Sequence, residues 1–229
     1  MLPIDHVLDN PVWNAMISYN GHLATGTGQV KLFPEDIGPF AGLKSLDSGS
    51  LQQLYELLCT DREVVIIIAG HVQIPGHFKV IKEGHLYQMT GEKVKQSSHD
   101  NMIVPLRKQH VPQMLELTQL TNPGPFRERT IEFGDYSGIF NSGRLIAMAG
   151  QRMHPDHYIE ISAVCTHPEY TGKGYSSSLI IDQASQIANQ GNIPFLHVNA
   201  NNENAVRLYK KLGFAIRRQM NLYVIKKSN

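Results

Sequence analysis

The fold can be inferred first from residues 164–176, which read Val164-Cys165-Thr166-His167-Pro168-Glu169-Tyr170-Thr171-Gly172-Lys173-Gly174-Tyr175-Ser176. The pattern predicts the end of a strand, a tight loop and the start of a helix. Its two glycines let the backbone turn sharply and leave the N–H groups uncovered by side chains. The helix that follows points its unpaired N–H groups and its positive dipole end at the same place, which favours phosphate binding. The identity of the phosphate-bearing ligand must be inferred from the rest of the sequence.

Length and composition are those of a globular protein with a buried core. The chain has 229 residues, of which 41% are hydrophobic and 18% are charged, and its formal net charge is +1. So small a charge produces no long-range field that would recruit nucleic acid. The sequence contains no run of about 18 apolar residues, which a membrane-spanning helix would need. The N-terminus lacks the charged and apolar zones of a signal peptide.

Cysteine and histidine usage predicts neither a disulfide framework nor a metal site. Cys59 and Cys165 are the only cysteines, and the eleven histidines form no His-x-x-x-His cluster. Two unpaired cysteines without metal-type spacing favour a reducing, cytoplasmic location.

The first half of the chain mixes helices and strands. Asn10 and Pro11 are typical of a helix start, and the leucines of residues 51–58 lie at helical spacing. Strands are expected over residues 63–69 and, as a pair with a turn at Glu83-Gly84, over residues 77–90. The polar segment 91–101 is the best candidate linker. We therefore predict an N-terminal α+β domain over residues 1–98 and a second domain over residues 99–229.

The second half has a regular order of elements. Periodicity and turn residues predict strands over 102–106, 136–140, 145–150, 158–166, 194–198 and 222–225, and helices over 109–120, 176–190 and about 202–212.

This order and two motifs identify a family. The loop over 168–174 resembles the pyrophosphate loop of the GNAT superfamily of acyl-CoA-dependent N-acyltransferases. The segment from Asn202 to Phe214 resembles the second signature of that superfamily, Asn-x-x-Ala-x-x-Leu-Tyr-x-x-Leu-Gly-Phe. The resemblance covers residues 102–226 and implies an α/β fold built on a mixed sheet. A degenerate copy of the same fold is one interpretation of the smaller N-terminal domain.

Further residues narrow the resemblance to one branch. Glu160 lies eight residues before Pro168, which is similar to the glycine N-acyltransferase-like branch. The segments 9–13 and 39–41 resemble bacterial two-domain members of that branch. Thr171 stands where Arg or Gln is usual, and Ser176 where a third small residue is usual, so contacts with the ligand are expected to differ there.

The resemblance implies transfer of an acetyl or other acyl group from acyl-CoA to a primary amine by direct attack. The expected partners are acetyl-CoA and a small amine or amino acid, without nucleic acid, membrane or metal, in a monomer or homodimer. The residues expected to contact coenzyme A are Val164, Cys165, Thr166, Thr171, Gly172, Lys173, Gly174, Tyr175, Ser176, Asn202, Ala205 and Tyr209. A non-catalytic acyl-CoA-binding or sensor protein is the rival hypothesis.

Glu160 is the candidate base, because only an unprotonated amine is nucleophilic and a carboxylate near the thioester could take the proton. Strand alternation predicts that Glu160, Ser162, Val164 and Thr166 share one face. A solvent-facing glutamate, or one paired with Arg152, is the alternative. His154 and His157 are further candidate bases.

Tyr209 is the candidate acid for the departing thiolate, as the resemblance implies, although its place on an apolar helix stripe also suits a core aromatic residue. Asn202 is expected to cap the same helix. Cys165 could instead act as a ping-pong nucleophile, but no His–acid partner stands out in the sequence.

Overall fold

The computed structural model describes residues 6–94 and 102–228. The predicted linker lies outside the described residues from position 95 to 101. The helices are α1 (Pro11–Ile17), α2 (Ser48–Leu57), α3 (Val111–Thr121), α4 (Tyr175–Asn189) and α5 (Glu203–Lys211). The strands are β1 (Thr25–Gly26), β2 (Val30–Leu32), β3 (Ala41–Leu43), β4 (Val64–Ile68), β5 (Phe78–Thr90), β6 (Ile103–Pro105), β7 (Tyr136–Asn141), β8 (Arg144–Gln151), β9 (Tyr158–Thr166), β10 (Ile193–Asn199) and β11 (Ala215–Lys227).

These strands form two sheets in the described part of the chain. β1, β2 and β3 make a small antiparallel sheet, and the other strands make an eight-stranded mixed sheet in the order β4-β11-β5-β10-β9-β8-β7-β6. β9 and β10 are parallel, whereas the other neighbours are antiparallel. The predicted α/β class with a mixed sheet is therefore confirmed. Within residues 6–94 and 102–228, none of the helices has the length and apolarity needed to cross a membrane.

The N-terminal half contributes two strands to the large sheet. β4 lies at one edge against β11, and β5 lies between β10 and β11. Strands from both sides of position 98/99 are thus hydrogen-bonded to each other. The division into two domains at this position stays a prediction. The expected turn at Glu83-Gly84 is wrong. β5 runs straight through it, because Gly84 pairs with Leu222 along a β11 that is much longer than predicted.

Helices cover both faces of the sheet. α4 packs Ile180, Ala184 and Ile187 against Ile159 and Ile161 of β9, as the apolar spacing of its sequence predicts. On the opposite face, α3 packs through Met114 and Leu117. α1 covers the part of this face that the N-terminal half supplies, in a cluster that also contains Phe40, Phe195 and Met220. The two halves therefore share one core.

Candidate functional site

The glycine loop has the backbone geometry of an anion cradle. Gly172 and Gly174 have φ angles of 77° and 85°, a left-handed conformation that favours glycine, and a Cβ atom at either position would meet nothing within 4 Å. Gly174 is the N-cap residue of α4, so no capping side chain bonds to the first N–H groups of the helix. The first bond of the helix runs from the Ser178 N–H to the Gly174 carbonyl, at 3.1 Å. The preceding N–H groups are therefore open toward the loop, which suits a phosphate group.

Side chains around this loop bond to the protein itself. The Thr171 hydroxyl donates to the Pro168 carbonyl at 2.9 Å, and the Ser176 and Thr166 hydroxyls lie 2.8 Å apart. Lys173 is exposed, with its Nζ 4.9 Å from the centre of the Tyr170 ring. The hydroxyls of Thr171 and Ser176, the two positions that depart from the family pattern, are thus already hydrogen-bonded within the protein. At these positions, the main-chain N–H groups are the donors that remain for a ligand.

β9 and β10 separate next to the loop. They pair at Tyr158, Ile159 and Glu160 of β9, and the last pair joins Glu160 to Phe195. β9 then stays bonded to β8 as far as Thr166, and β10 to β5 as far as Asn199. A wedge-shaped opening results between the two parallel strands. Backbone groups along its edges could bond an extended ligand in the manner of an added strand.

A β-bulge changes which side chains face this opening. Ala163 has a φ of 51°, and the two residues between Ser162 and Cys165 of β9 lie opposite the single residue Ala149 of β8. The prediction that Glu160, Ser162, Val164 and Thr166 share one face is therefore wrong. Val164 turns toward α4, and Cys165 lies on the α3 face, the face to which Glu160 also belongs. No glycine marks the bulge in the sequence.

Glu160 is buried in an ion pair with Arg152. Its Oε1 accepts from Arg152 Nη2 at 2.7 Å and from His197 Nδ1 at 2.7 Å, and its Oε2 accepts from Arg152 Nε at 2.8 Å. Burial alone would raise the pKa of Glu160, but the Arg152 guanidinium holds that pKa well below its usual range. The solvent-facing alternative is wrong, and the pairing with Arg152 is confirmed.

Arg152 is the more open member of this pair. Its side chain is 11% exposed, whereas that of Glu160 is 1% exposed. Its guanidinium carbon lies 4.8 Å from the centre of the Phe40 ring, so an aromatic residue of the N-terminal half fixes its plane. Within the described residues, its Nη1 donates to no protein acceptor. The exposed edge of the pair is therefore that of the Arg152 guanidinium.

Sequence reasoning missed the residues on the other side of Glu160. His197 bonds to Gln88, Gln88 to Arg217, and Arg217 to Asp9. Burial would raise the pKa of Asp9, but Arg217 and Arg218 hold that pKa below its usual range. Asp9 and Arg217 are 208 positions apart, and no local pattern connects them.

Tyr209 and Asn202 lie on α5. Asn202 caps the helix as predicted, its side-chain oxygen accepting from the Ala205 N–H at 3.1 Å. Tyr209 is half-buried, its ring centre is 6.1 Å from that of Phe214, and burial raises its pKa to about 12. Its hydroxyl donates to no acceptor in the described residues. This phenol therefore keeps its proton at neutral pH.

The other candidate side chains are less suited to proton or acyl transfer. Burial raises the pKa of the Cys165 thiol to about 11, so the nucleophilic thiolate is scarce. His154 has a pKa lowered by burial, and its buried Nε2 has no partner in the described residues. His157 is exposed and contacts Asp156 at 3.0 Å. Across the described ranges, no group of three His, Cys, Asp or Glu side chains could hold a metal ion.

Comparisons with known proteins agree with this geometry. The family model described as FR47-like protein matches residues 136–224. A solved structure from Novosphingobium aromaticivorans, assigned to the GNAT family of acetyltransferases, is 37% identical, covers 98% of this chain and 100% of its own, and superposes with a TM-score of 0.93. A GCN5-related N-acetyltransferase from Kribbella flavida is 11% identical over 97% of this chain and 96% of its own, with a TM-score of 0.65, and shares the fold. Among curated proteins, none matches significantly.

Proposed function

The chain belongs to the GNAT family of acetyltransferases, and we propose that it acetylates a small primary amine by direct attack of that amine on acetyl-CoA. The observation that carries the proposal is the opening between β9 and β10, which begins beside Glu160 and lies next to the uncapped start of α4. A ligand with a pyrophosphate and an extended amide-bearing arm matches both features.

The loop would hold the pyrophosphate of coenzyme A through main-chain N–H groups of residues 172–176. Thr171 and Lys173 would lie at its rim. The open space at the two glycines supports this assignment, because a side chain there would occupy the position that the phosphate needs. A positive φ at both positions adds a second reason for glycine.

The arm of the cofactor would bond along β9 at Val164, Cys165 and Thr166, with Asn202 and Ala205 on its other side. The bulge at Ala163 supports this placement, since it interrupts the regular pairing with β8 beside the residues assigned to the thioester carbonyl. We assign the Val164 or Cys165 N–H to that oxyanion-type contact.

Tyr209 is the proposed acid for the leaving thiolate. Its raised pKa of about 12 keeps the hydroxyl protonated, and the absence of an acceptor within the described residues leaves the proton available. A thiol has a pKa of about 8.5, so a modest donor suffices. Its contacts with Phe214 would hold the ring in place.

Glu160 is the proposed base, acting through water because its side chain is only 1% exposed. Its Oε1 accepts two protein donors and its Oε2 only one, so Oε2 is the oxygen that could take a proton. The three donors weaken the carboxylate as a base. The amine would therefore lose its proton as the bond to the thioester carbon forms, when its N–H becomes more acidic.

Among possible acceptors, Arg152 favours an amino acid over an amine that lacks a carboxylate. Its partly exposed guanidinium is held between Glu160 and Phe40 with its Nη1 edge unused by the described residues. A fixed guanidinium edge matches the geometry of a carboxylate. An acceptor that carries a carboxylate beside its amine would therefore bind more tightly.

A screen of thiol release tests the proposed function. Acetyl-CoA and longer acyl-CoAs would be offered with amino acids, their amides and simple amines. Release with at least one amine supports the proposal, and faster release with free acids than with amides supports the role of Arg152. Calorimetric binding of acetyl-CoA without thiol release from any amine would favour the rival hypothesis of a non-catalytic acyl-CoA-binding or sensor protein.

A further inference from the structure

A continuous chain of partly buried hydrogen bonds crosses the sheet from the N-terminal half of the molecule to Glu160. It begins at Asp9, in the short 3-10 helix Val7–Asp9, and passes over β11, β5 and β10 to β9. Nothing in the proposed chemistry requires groups so far from the opening. Their bonds, however, fix the orientation of His197, which donates to Glu160.

Asp9 holds the far end of this chain. It is 2% exposed, and its two oxygens contact Arg217 at 2.7 Å and Arg218 at 2.9 Å. Both arginines can reach it because β11 has a bulge between Ile216 and Arg218, which makes Arg217 the extra residue of the strand. The buried carboxylate thus aligns the Arg217 guanidinium.

The side-chain amide of Gln88 can adopt only one orientation. Arg217 Nη1 is 2.7 Å from its oxygen, and an arginine can only donate. The amide nitrogen is 2.8 Å from the Leu8 carbonyl, which can only accept. Gln88 is fully buried, so water cannot substitute for either partner. Its second amide hydrogen therefore points at His197.

This orientation determines the tautomer of His197. The Nε2 atom lies 3.0 Å from the Gln88 nitrogen, and a proton on Nε2 would face an N–H donor. Nε2 must therefore accept, and the ring proton sits on Nδ1. From there it donates to Glu160 Oε1 at 2.7 Å. The opposite tautomer would turn a lone pair toward the carboxylate.

We propose that Asp9, Arg217, Gln88 and His197 are positioning residues for acyl transfer, which hold Glu160 Oε1 so that Oε2 is left to take the proton. The inference rests on the proposed function, in which Glu160 is the base. It gives the N-terminal half a role in catalysis beyond its two strands and the helix that covers the sheet, because Leu8, Asp9 and Gln88 all take part in the chain of bonds.

The test is Gln88→Glu, which keeps the shape of the side chain and replaces its N–H donor by an acceptor. Gln113→Glu is the control, since the Gln113 amide likewise accepts one N–H and donates to a carbonyl, at Leu145 and Gly143, but lies outside this chain of bonds. Nitrogen NMR of protein labelled in its histidines, with His197 assigned from His197→Gln, reports the tautomer. Thiol release per acetyl-CoA-binding site, counted by calorimetry, reports kcat.

We expect a protonated Nδ1 and an unprotonated Nε2 on His197 in the wild type, and a protonated Nε2 in Gln88→Glu. We expect kcat per site to fall about 10- to 100-fold, the size of effect known for the hydrogen-bond partners that orient metal ligands, with KM for acetyl-CoA unchanged. The control should alter neither. Asp9→Asn, which keeps the shape of the side chain, should also lower kcat. It replaces Gln88→Glu as the test variant if Gln88→Glu does not fold.

Three results would overturn the inference. The first is a protonated Nε2 on His197 in the wild type. The second is a wild-type kcat per site in Gln88→Glu or Asp9→Asn, which would leave the chain of bonds with a purely structural role. The third is a wild type that binds acetyl-CoA but releases no thiol with any amine, and it alone would overturn the proposed function as well.

Discussion

Replacement of Glu160 by glutamine separates its charge from its shape. Glu160→Gln would leave the Arg152 guanidinium buried beside a neutral amide, after loss of a bidentate ion pair with bonds of 2.7 and 2.8 Å. Removing one partner of a buried pair costs about 3–5 kcal/mol. For a chain of this length, roughly 2–4 °C of Tm accompanies each kcal/mol. We therefore expect Tm to fall by about 6–20 °C.

The double variant Glu160→Gln/Arg152→Met distinguishes a base from a structural carboxylate. With both charges removed, most of the lost stability should return, because replacing a whole buried pair by apolar groups is often neutral. If Glu160 takes the proton, kcat stays low in the single and the double variant alike. If Glu160 only holds Arg152, kcat recovers together with stability. Saturating acceptor keeps any effect of Arg152 on binding out of the comparison.

The assay combines thermal unfolding with thiol release at saturating acetyl-CoA, at a temperature well below every Tm. Glu116→Gln is the control, because its exposed pair with Arg144 spans 3.5 Å and should contribute less than about 1 kcal/mol. An unchanged Tm in Glu160→Gln would refute the buried ion pair. A wild-type kcat in the double variant would remove Glu160 as the base.

Four other outcomes are expected. Gly172→Val should weaken acetyl-CoA binding by calorimetry at least about tenfold, whereas Gly191→Val, at the same φ of 77° and in equally open space, should cost only similar backbone strain; equal affinities would exclude the loop. Tyr209→Phe should lower kcat about 10- to 100-fold in the thiol assay, because general acids contribute at this level or above, and a wild-type rate would remove the acid role. Cys165→Ser should keep most activity, since the pKa of the buried thiol is raised to about 11; an inactive but folded variant, or a trapped acyl-enzyme, would instead favour a ping-pong reaction. Asp9 has a lowered pKa, so its stabilising effect is present above its unfolded value of about 4 and is lost as pH falls through its folded value; urea unfolding at pH 7, 4 and 3 should show less loss in Asp9→Asn than in the wild type, and equal losses would contradict the assignment.

The predictions that hold best rest on local patterns. The apolar spacing of α4 and the cap at Asn202 depend on residues three or four positions apart, whose geometry a helix determines. The left-handed glycines at positions 172 and 174 likewise follow from the loop sequence, and so this loop could be proposed as a phosphate site before any fold was known. Two motifs in the correct order then indicated the α/β fold of the second half.

The errors occur where distant segments meet. Gly84 suggested a turn, but β11 provides a pairing partner along the whole of β5, and that partner is more than a hundred positions away. The bulge at Ala163 reverses the faces of Val164 and Thr166, and its cause is the register against β8 rather than a turn residue. A single extra residue in β9 is enough, because side chains alternate with a period of two.

The sequence alone therefore determined the family, and it identified the candidates: the glycine loop for phosphate, Glu160 for the base and Tyr209 for the acid. The tertiary structure alone decided what surrounds Glu160: the ion pair with Arg152, and the hydrogen bonds through His197 that reach back to Asp9. The physical reason is that helices and tight turns are encoded by neighbours in the chain. The partners of a buried charge, in contrast, are set by which strands lie side by side in the sheet.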